Sequence, residues 1–262
     1  MNLRPFGKTG INVSPIGLGT VKLGRDQGVK YPENFTIPDD KTASDLIALA
    51  HDLGINLIDT APAYGNSEAR LGTLLKGQRQ DWVICSKVGE EYANGKSIFD
   101  FSAQHTRSSI ERSLQRLNTD FIDIVLVHSD GHDVHIINNE DVLAELEKCK
   151  QDGLIRAFGV STKTVDGGLL AAEKTDAVMV TYNLDYSDEE AVIHYCEQNQ
   201  KGLLIKKVFA SGHLCQESED PIQKSMDFIF SHAGVSSAIV GTINPNHLRS
   251  NVTAVNKAMD KL

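Results

Sequence analysis

Short runs rich in aliphatic and β-branched residues recur along the chain at 14–20, 55–59, 82–87, 121–128, 155–161, 177–181, 202–206 and 237–241. Most are nearly continuous apolar stretches, the pattern of parallel strands covered on both faces. Helical periods lie between them. Ala43, Leu46, Ile47, Ala50 and Leu53 share one face of 43–53, and 106–117, 142–149 and 247–259 behave alike. Eight strand-then-helix units predict an α/β fold, the (β/α)8 TIM barrel. Periodicity counts strands but does not close a sheet, so an open doubly wound sheet is the competing architecture. Residues 1–13, with Gly7 and the Thr9–Gly10 turn, predict a short N-terminal β-hairpin capping the barrel floor. Three connections, 21–40, 89–102 and 129–139, exceed what a strand-to-helix loop requires. All three follow strand C-termini, where a barrel builds its site.

No repeat, low-complexity tract or linker interrupts the pattern, so 1–262 reads as one domain. Its 262 residues suit a single barrel, typically about 250 residues. The net charge of −9 and the absence of any basic cluster beyond Lys206–Lys207 argue against a nucleic-acid partner. No apolar run is long enough to span a bilayer, and residues 1–10 are polar and turn-rich, unlike a signal peptide. Cys85, Cys149, Cys196 and Cys215 show no C-x-x-C pair and no metal-type spacing. The expectation is a cytoplasmic protein with no metal and four buried free thiols.

Ionisable residues close three successive strands: Asp59 after Ile55–Ile58, Lys87 after Val83–Ser86, and His128 after Ile124–Val127. Tyr64 follows Asp59 in Thr60-Ala61-Pro62-Ala63-Tyr64-Gly65. In a barrel these strand ends are neighbours on one rim, so the four groups converge on one pocket. A free tyrosine has a pKa of about 10, too high for easy proton transfer at neutral pH. An ammonium beside it would lower that value, and a carboxylate would keep the ammonium charged. A histidine can polarise a carbonyl oxygen or relay a proton. Each residue alone has a bland explanation: a turn-forming aspartate, a packing tyrosine, a snorkelling lysine, a structural histidine. Together they form an acid–base set suited to carbonyl chemistry.

The segment Asp59-Thr60-Ala61-Pro62-Ala63-Tyr64-Gly65-Asn66-Ser67-Glu68 resembles the signature of the aldo-keto reductases. Lys87 in Ser86-Lys87-Val88-Gly89 and His128 after its apolar strand match that family's other catalytic positions. Gly7-Lys8-Thr9-Gly10, the run from Val13 to Thr20, and the run from Ser108 to Leu117 with Asp120 fit as well. The resemblance extends over essentially the whole chain. It implies an oxidoreductase that binds NADP(H), less often NAD(H), without a Rossmann domain; accordingly no G-x-G-x-x-G follows a strand. By resemblance, Tyr64 exchanges the hydroxyl proton, aided by Lys87 and Asp59, and His128 positions the carbonyl of a small carbonyl or sugar substrate. The resemblance also implies cofactor contacts at Gly19, Thr20, Ser161, Thr162, Lys206, Ser211, Gly212, Gly241, Thr242, Asn244, Arg249 and Asn251. Here the sequence departs from the family: Thr162 replaces an asparagine, Met179 a glutamine, and Lys206 an aromatic residue. Neutral groups at Asn244 and His247, with Arg249 close by, leave NADP(H) only slightly preferred over NAD(H).

Three alternatives stay open. Ser97-Ile98-Phe99-Asp100-Phe101-Ser102 looks like a segment of aldose-oxidising relatives, so a sugar dehydrogenase is one. A non-catalytic, cofactor-binding regulatory subunit is another. A Schiff-base lyase using Lys87 is the third, although Asp59 would favour a charged lysine over the neutral amine that reaction needs.

Overall fold

In the computed structural model, residues 1–29, 31, 34–212 and 220–261 are described. Eight strands close into a parallel barrel: β3 (Ile16–Gly19), β4 (Leu57–Asp59), β5 (Val83–Val88), β8 (Ile122–His128), β9 (Ile155–Ser161), β10 (Ala177–Thr181), β11 (Gly202–Lys206) and β12 (Ser237–Val240), which pairs back with β3. The open-sheet alternative is thereby excluded. Outside lie α2 (Asp40–Asp52), α3 (Ser67–Leu74), α4 (Ala103–Leu117), α6 (Val142–Gln151), α7 (Val165–Lys174), α8 (Glu190–Asn199), α9 (Pro221–Phe230) and α10 (Pro245–Met259). Side-chain caps begin several of them: Asp39 accepts from Thr42 N, Ser102 from His105 N and Thr164 from Gly167 N.

Each strand divides its side chains by period two. Leu57, Val83, Cys85, Ile124, Leu126, Ala157, Ala177, Met179 and Leu204 fill the barrel bore. Their neighbours Ile58, Ile84, Val125, Val127, Phe158, Val178, Val180, Leu203 and Ile205 face the helices. The predicted hairpin is β1 (Arg4–Pro5) paired with β2 (Asn12–Val13). Between them Phe6, fully buried, joins the bore cluster. Gly202 leaves room for the ring, since a Cβ there would stand 2.6 Å from Phe6 Cζ. Burial of one such ring stabilises by about 1.5–3 kcal/mol.

The three long connections are not bare loops. They contain α1 (Val21–Gly24), an antiparallel hairpin of β6 (Glu90–Ala93) and β7 (Lys96–Phe99), and α5 (Asp133–Asn139). Cys85, Cys149 and Cys196 are buried and free; Cys215 lies outside the described residues. Among the described residues no helix is long and apolar enough to cross a membrane.

Candidate active site

The period-two rule that packs the bore also aims its last inward position at the mouth. Leu57 points inward, so Asp59 does; Val83 and Cys85 carry Lys87 inward; Ile124 and Leu126 carry His128. Register sets their depth: Asp59 is level with Gly19 and Cys85, Lys87 with Leu126, and His128 with Ser161. Tyr64 sits on the following turn. Gly65, at φ +64°, abuts the Gly24 carbonyl so closely that no side chain fits. A hydroxyl chain fastens this turn: Thr60 Oγ1 donates to Ser67 Oγ, Ser67 to Thr20 Oγ1 and Thr20 to the Asp59 carbonyl, at 3.0, 2.8 and 2.9 Å.

The four predicted residues do converge. Lys87 Nζ lies 2.5 Å from Asp59 Oδ1 and 3.0 Å from the Thr60 carbonyl. The same ammonium is 5.3 Å from the Tyr64 ring centroid, and the Tyr64 and His128 rings meet edge-on at 6.3 Å. Burial opposes the Lys87 charge, but Asp59, then Tyr64 and Cys85, outweigh it and raise the lysine above its ordinary value. Tyr64 departs from the sequence expectation. Burial raises the phenol, Lys87 pulls it down, and Asp59 pushes it up again, so the net shift is upward from 10. The reason is first the burial of the phenol, which outweighs the pull of Lys87; Asp59 adds to the rise.

Two further groups at the mouth were missed from sequence. Glu90, first residue of β6, brings Oε2 to 2.7 Å from His128 Nδ1. The contact is bent away from the ring N–H axis, which leaves Nδ1 without an in-line partner. Ser97 Oγ, across the hairpin, donates to Glu90 Oε1 at 2.5 Å. Burial works against the Glu90 charge, yet His128, Ser97 and Arg25 hold the carboxyl down at about 2. Burial also lowers His128, Glu90 raises it, and Lys87 and Lys206 lower it further; the net direction is down. The hairpin is anchored by Arg25, whose guanidinium lies 3.3 Å over the Tyr92 ring, and by the Arg112–Glu91 ion pair. Tyr31, in the first long connection, is the second group. Its phenol is raised by burial and by Asp59, and Lys22 Nζ lies 4.1 Å over its ring.

The opposite side of the mouth holds the residues expected to touch a cofactor. Lys206, level with Thr181, donates to Ser161 Oγ at 2.8 Å and to the Thr162 carbonyl at 2.6 Å. Burial pushes Lys206 down despite Glu189, while burial pushes Glu189 up despite Lys206. Thr162 Oγ1 and Glu189 Oε2 are buried with no hydrogen-bond partner. Gly19 and Gly241 face each other across β3 and β12; a Cβ on Gly19 would stand 3.5 Å from the Gly241 backbone. Thr242 Oγ1 accepts from Asn244 N, and Asn244 Oδ1 accepts from Asn246 N and His247 N at the start of α10. That cap already occupies two of the helix-end donors. Arg249 is exposed, Asn251 is buried, and Thr20 is buried with its hydroxyl used in the chain described above. Ser211 and Gly212 both have positive φ, +61° and +101°. Residues 213–219, which follow them, lie outside the described residues. Surface clefts elsewhere, such as the one lined by Lys8, Thr9, Tyr195 and Gln200, contain none of these groups.

Residues 15–227 match the Aldo/keto reductase family model. A solved structure of a provisionally assigned aldo-keto reductase from Pseudomonas aeruginosa superposes with a TM-score of 0.90 at 56% identity, covering 98% of this chain and 95% of that one. An L-galactose dehydrogenase from Arabidopsis thaliana is 28% identical, over 97% of this chain and 88% of its own length. An NADH-specific methylglyoxal reductase from Escherichia coli is 32% identical, over 77% of this chain and 65% of its own.

Proposed function

This chain belongs to the aldo/keto reductase family, an NAD(P)H-dependent oxidoreductase by that membership, and we propose that it reduces an aldehyde or ketone to the alcohol with Tyr64 as the proton donor. The observation that carries the reading is the phenol of Tyr64 beside a lysine locked to Asp59 at 2.5 Å.

The residues present fit a nicotinamide cofactor. The buried, partnerless Thr162 hydroxyl marks a place where a ligand group is wanted. Gly19 and Gly241 add no side chains of their own at the strand ends. Ser161, Thr162 and Lys206 would hold the nicotinamide end. Gly241, Thr242, Asn244, Asn251, Ser211 and Gly212 would hold the phosphate and adenine end, with Gly19 and Thr20 at the strand end between. When bound, the nicotinamide supplies or takes up the hydride. Arg249, an exposed cation near the start of α10, supports a preference for NADP(H), because a 2′-phosphate needs a positive partner.

The chain's own residues manage the oxygen. A phenol held above its ordinary pKa stays protonated at neutral pH, and it still gives its proton to an alkoxide, a much stronger base. Lys87 offsets the negative charge this leaves on Tyr64, and Asp59 keeps Lys87 charged. Lys87 is therefore not the neutral amine that Schiff-base chemistry needs. In this direction His128 orients the carbonyl oxygen by donating from Nε2, which requires the Nε2–H tautomer or the protonated ring beside Glu90.

Aldose oxidation is the second reading, favoured by Glu90. With Nδ1 turned to a carboxylate, a neutral His128 presents the Nε2 lone pair, which can accept a hydroxyl proton. Assays with NADPH and NADH against aldehydes, and with NADP+ and NAD+ against aldoses, separate the two directions. Tyr64→Phe is expected to cut kcat for carbonyl reduction by about 10²–10⁴ while leaving nicotinamide binding unchanged. Retention of most of the activity would remove Tyr64 from the role.

A further inference from the structure

A second cluster of titratable groups lies away from the mouth, between two outer helices. Glu190 opens α8, and His194 stands one turn along the same face. His232 enters from the turn after α9. His194 Nε2 and His232 Nε2 lie 3.6 and 3.8 Å from the same Glu190 Oε1, and the three donor atoms are all within 4.8 Å of one another. The imidazoles meet edge-on at 5.4 Å.

Ordinary ion pairing explains this arrangement poorly. Two imidazolium ions sharing one carboxylate would repel each other. The orientation of His232 is set from beneath. The buried Tyr182 hydroxyl lies 2.9 Å from His232 Nε2, and Tyr182 is itself stacked on Phe228 at 4.8 Å. The His232 side chain is 10% exposed, whereas Glu190 and His194 are about half exposed and free to adjust.

We infer that Glu190, His194 and His232 bind a divalent transition-metal ion of the zinc class. Tetrahedral zinc with bonds of about 2.0–2.2 Å needs its ligand atoms about 3.3–3.5 Å apart. The two distances to Glu190 need to close by a few tenths of an ångström, and the third, which is within 4.8 Å, closes by rotation of the half-exposed His194 side chain. Two imidazoles and one carboxylate are a borderline donor set that suits zinc over magnesium or calcium. Water takes the fourth position on the solvent side. The Tyr182 hydroxyl, released from Nε2, can turn to that water or to the free carboxylate oxygen. The site ties α8 to the end of α9. The expectation of no metal rested on cysteine spacing, and this set uses no cysteine.

Full-length protein stripped with chelator and titrated with zinc chloride near neutral pH is expected to bind one equivalent and to melt at a higher temperature. Cobalt(II) in the same protein is expected to give the strong visible absorption of a tetrahedral site. His194→Ala, a change on the exposed surface outside the catalytic set, is expected to weaken zinc binding roughly tenfold or more. It should also abolish the cobalt spectrum and leave metal-free carbonyl reduction unaltered. Uptake of no zinc at millimolar concentration, or binding by His194→Ala equal to that of the parent, would overturn the site. Should His232→Ala fail to fold, His194→Ala and the cobalt spectrum still decide the matter.

Discussion

Lys87 and Lys206 end inward-facing positions of two barrel strands, yet their charges are handled in opposite ways. Lys87 meets a carboxylate at 2.5 Å and is held above its ordinary pKa. Lys206 donates to a hydroxyl and a carbonyl, with no carboxylate within ion-pair distance among the described residues, and is pushed below its ordinary value. Burial is the leading opposing effect in both; the partner decides the outcome. One side of the mouth is thus a closed, internally satisfied proton-handling set. The other keeps an underpaired amine beside the partnerless Thr162 hydroxyl and Glu189 oxygen, the condition of a surface shaped for something it has yet to meet.

Breaking the first arrangement should cost most. Asp59→Asn leaves a buried ammonium without its counter-ion. It is expected to lower stability by about 3–5 kcal/mol, read from urea unfolding, and to depress carbonyl reduction strongly. Unchanged stability would mean that Lys87 discharges without cost, and the contrast with Lys206 would vanish.

Glu90→Gln tests an intermediate case, a histidine steadied by a carboxylate. Because Glu90 raises His128, the variant should move the His128 titration to lower pH, followed by NMR in the cofactor-free protein. The reductive pH–rate profile should shift in the same direction. Glu90 is depressed from 4.5 to about 2, so its contribution to stability is present above 4.5 and fades as pH falls toward 2. The glutamine variant should lack that component of acid sensitivity.

The smallest effect is expected at Lys206. Lys206→Met should change stability near neutral pH by less than about 1 kcal/mol, because it removes an underpaired charge and retains the apolar stem. The folded-state pKa is about 8 against 10.5 for the free side chain, so the parent should gain stability as pH rises through that window. The methionine variant should lose this slope. A large loss of stability at neutral pH would show that Lys206 has a strong partner after all.

The barrel was legible because its strands are apolar on both faces and its helices keep their period. Asp59, Lys87 and His128 were legible because they interrupt apolar runs at their ends. The β6–β7 hairpin was not read, although Asn94–Gly95, with φ of +52° and +79°, is the two-residue turn signal that specifies one. Reading it would have placed Glu90 at the strand end, but not its 2.7 Å approach to His128, which depends on packing of Arg25 on Tyr92. The upward shift of Tyr64 was illegible because it comes first from complete burial of the phenol, which a list of neighbouring charges does not reveal. The Glu190–His194–His232 set joins α8 to the turn after α9, and only its i,i+4 half is local.

Phe6 and the packed bore beneath the mouth have a kinetic consequence. With the lower end plugged by a buried ring against Gly202, ligands reach the barrel's strand ends, among the described residues, only from the mouth. Exchange with solvent is therefore governed at one end of the molecule and sealed at the other by a short hairpin.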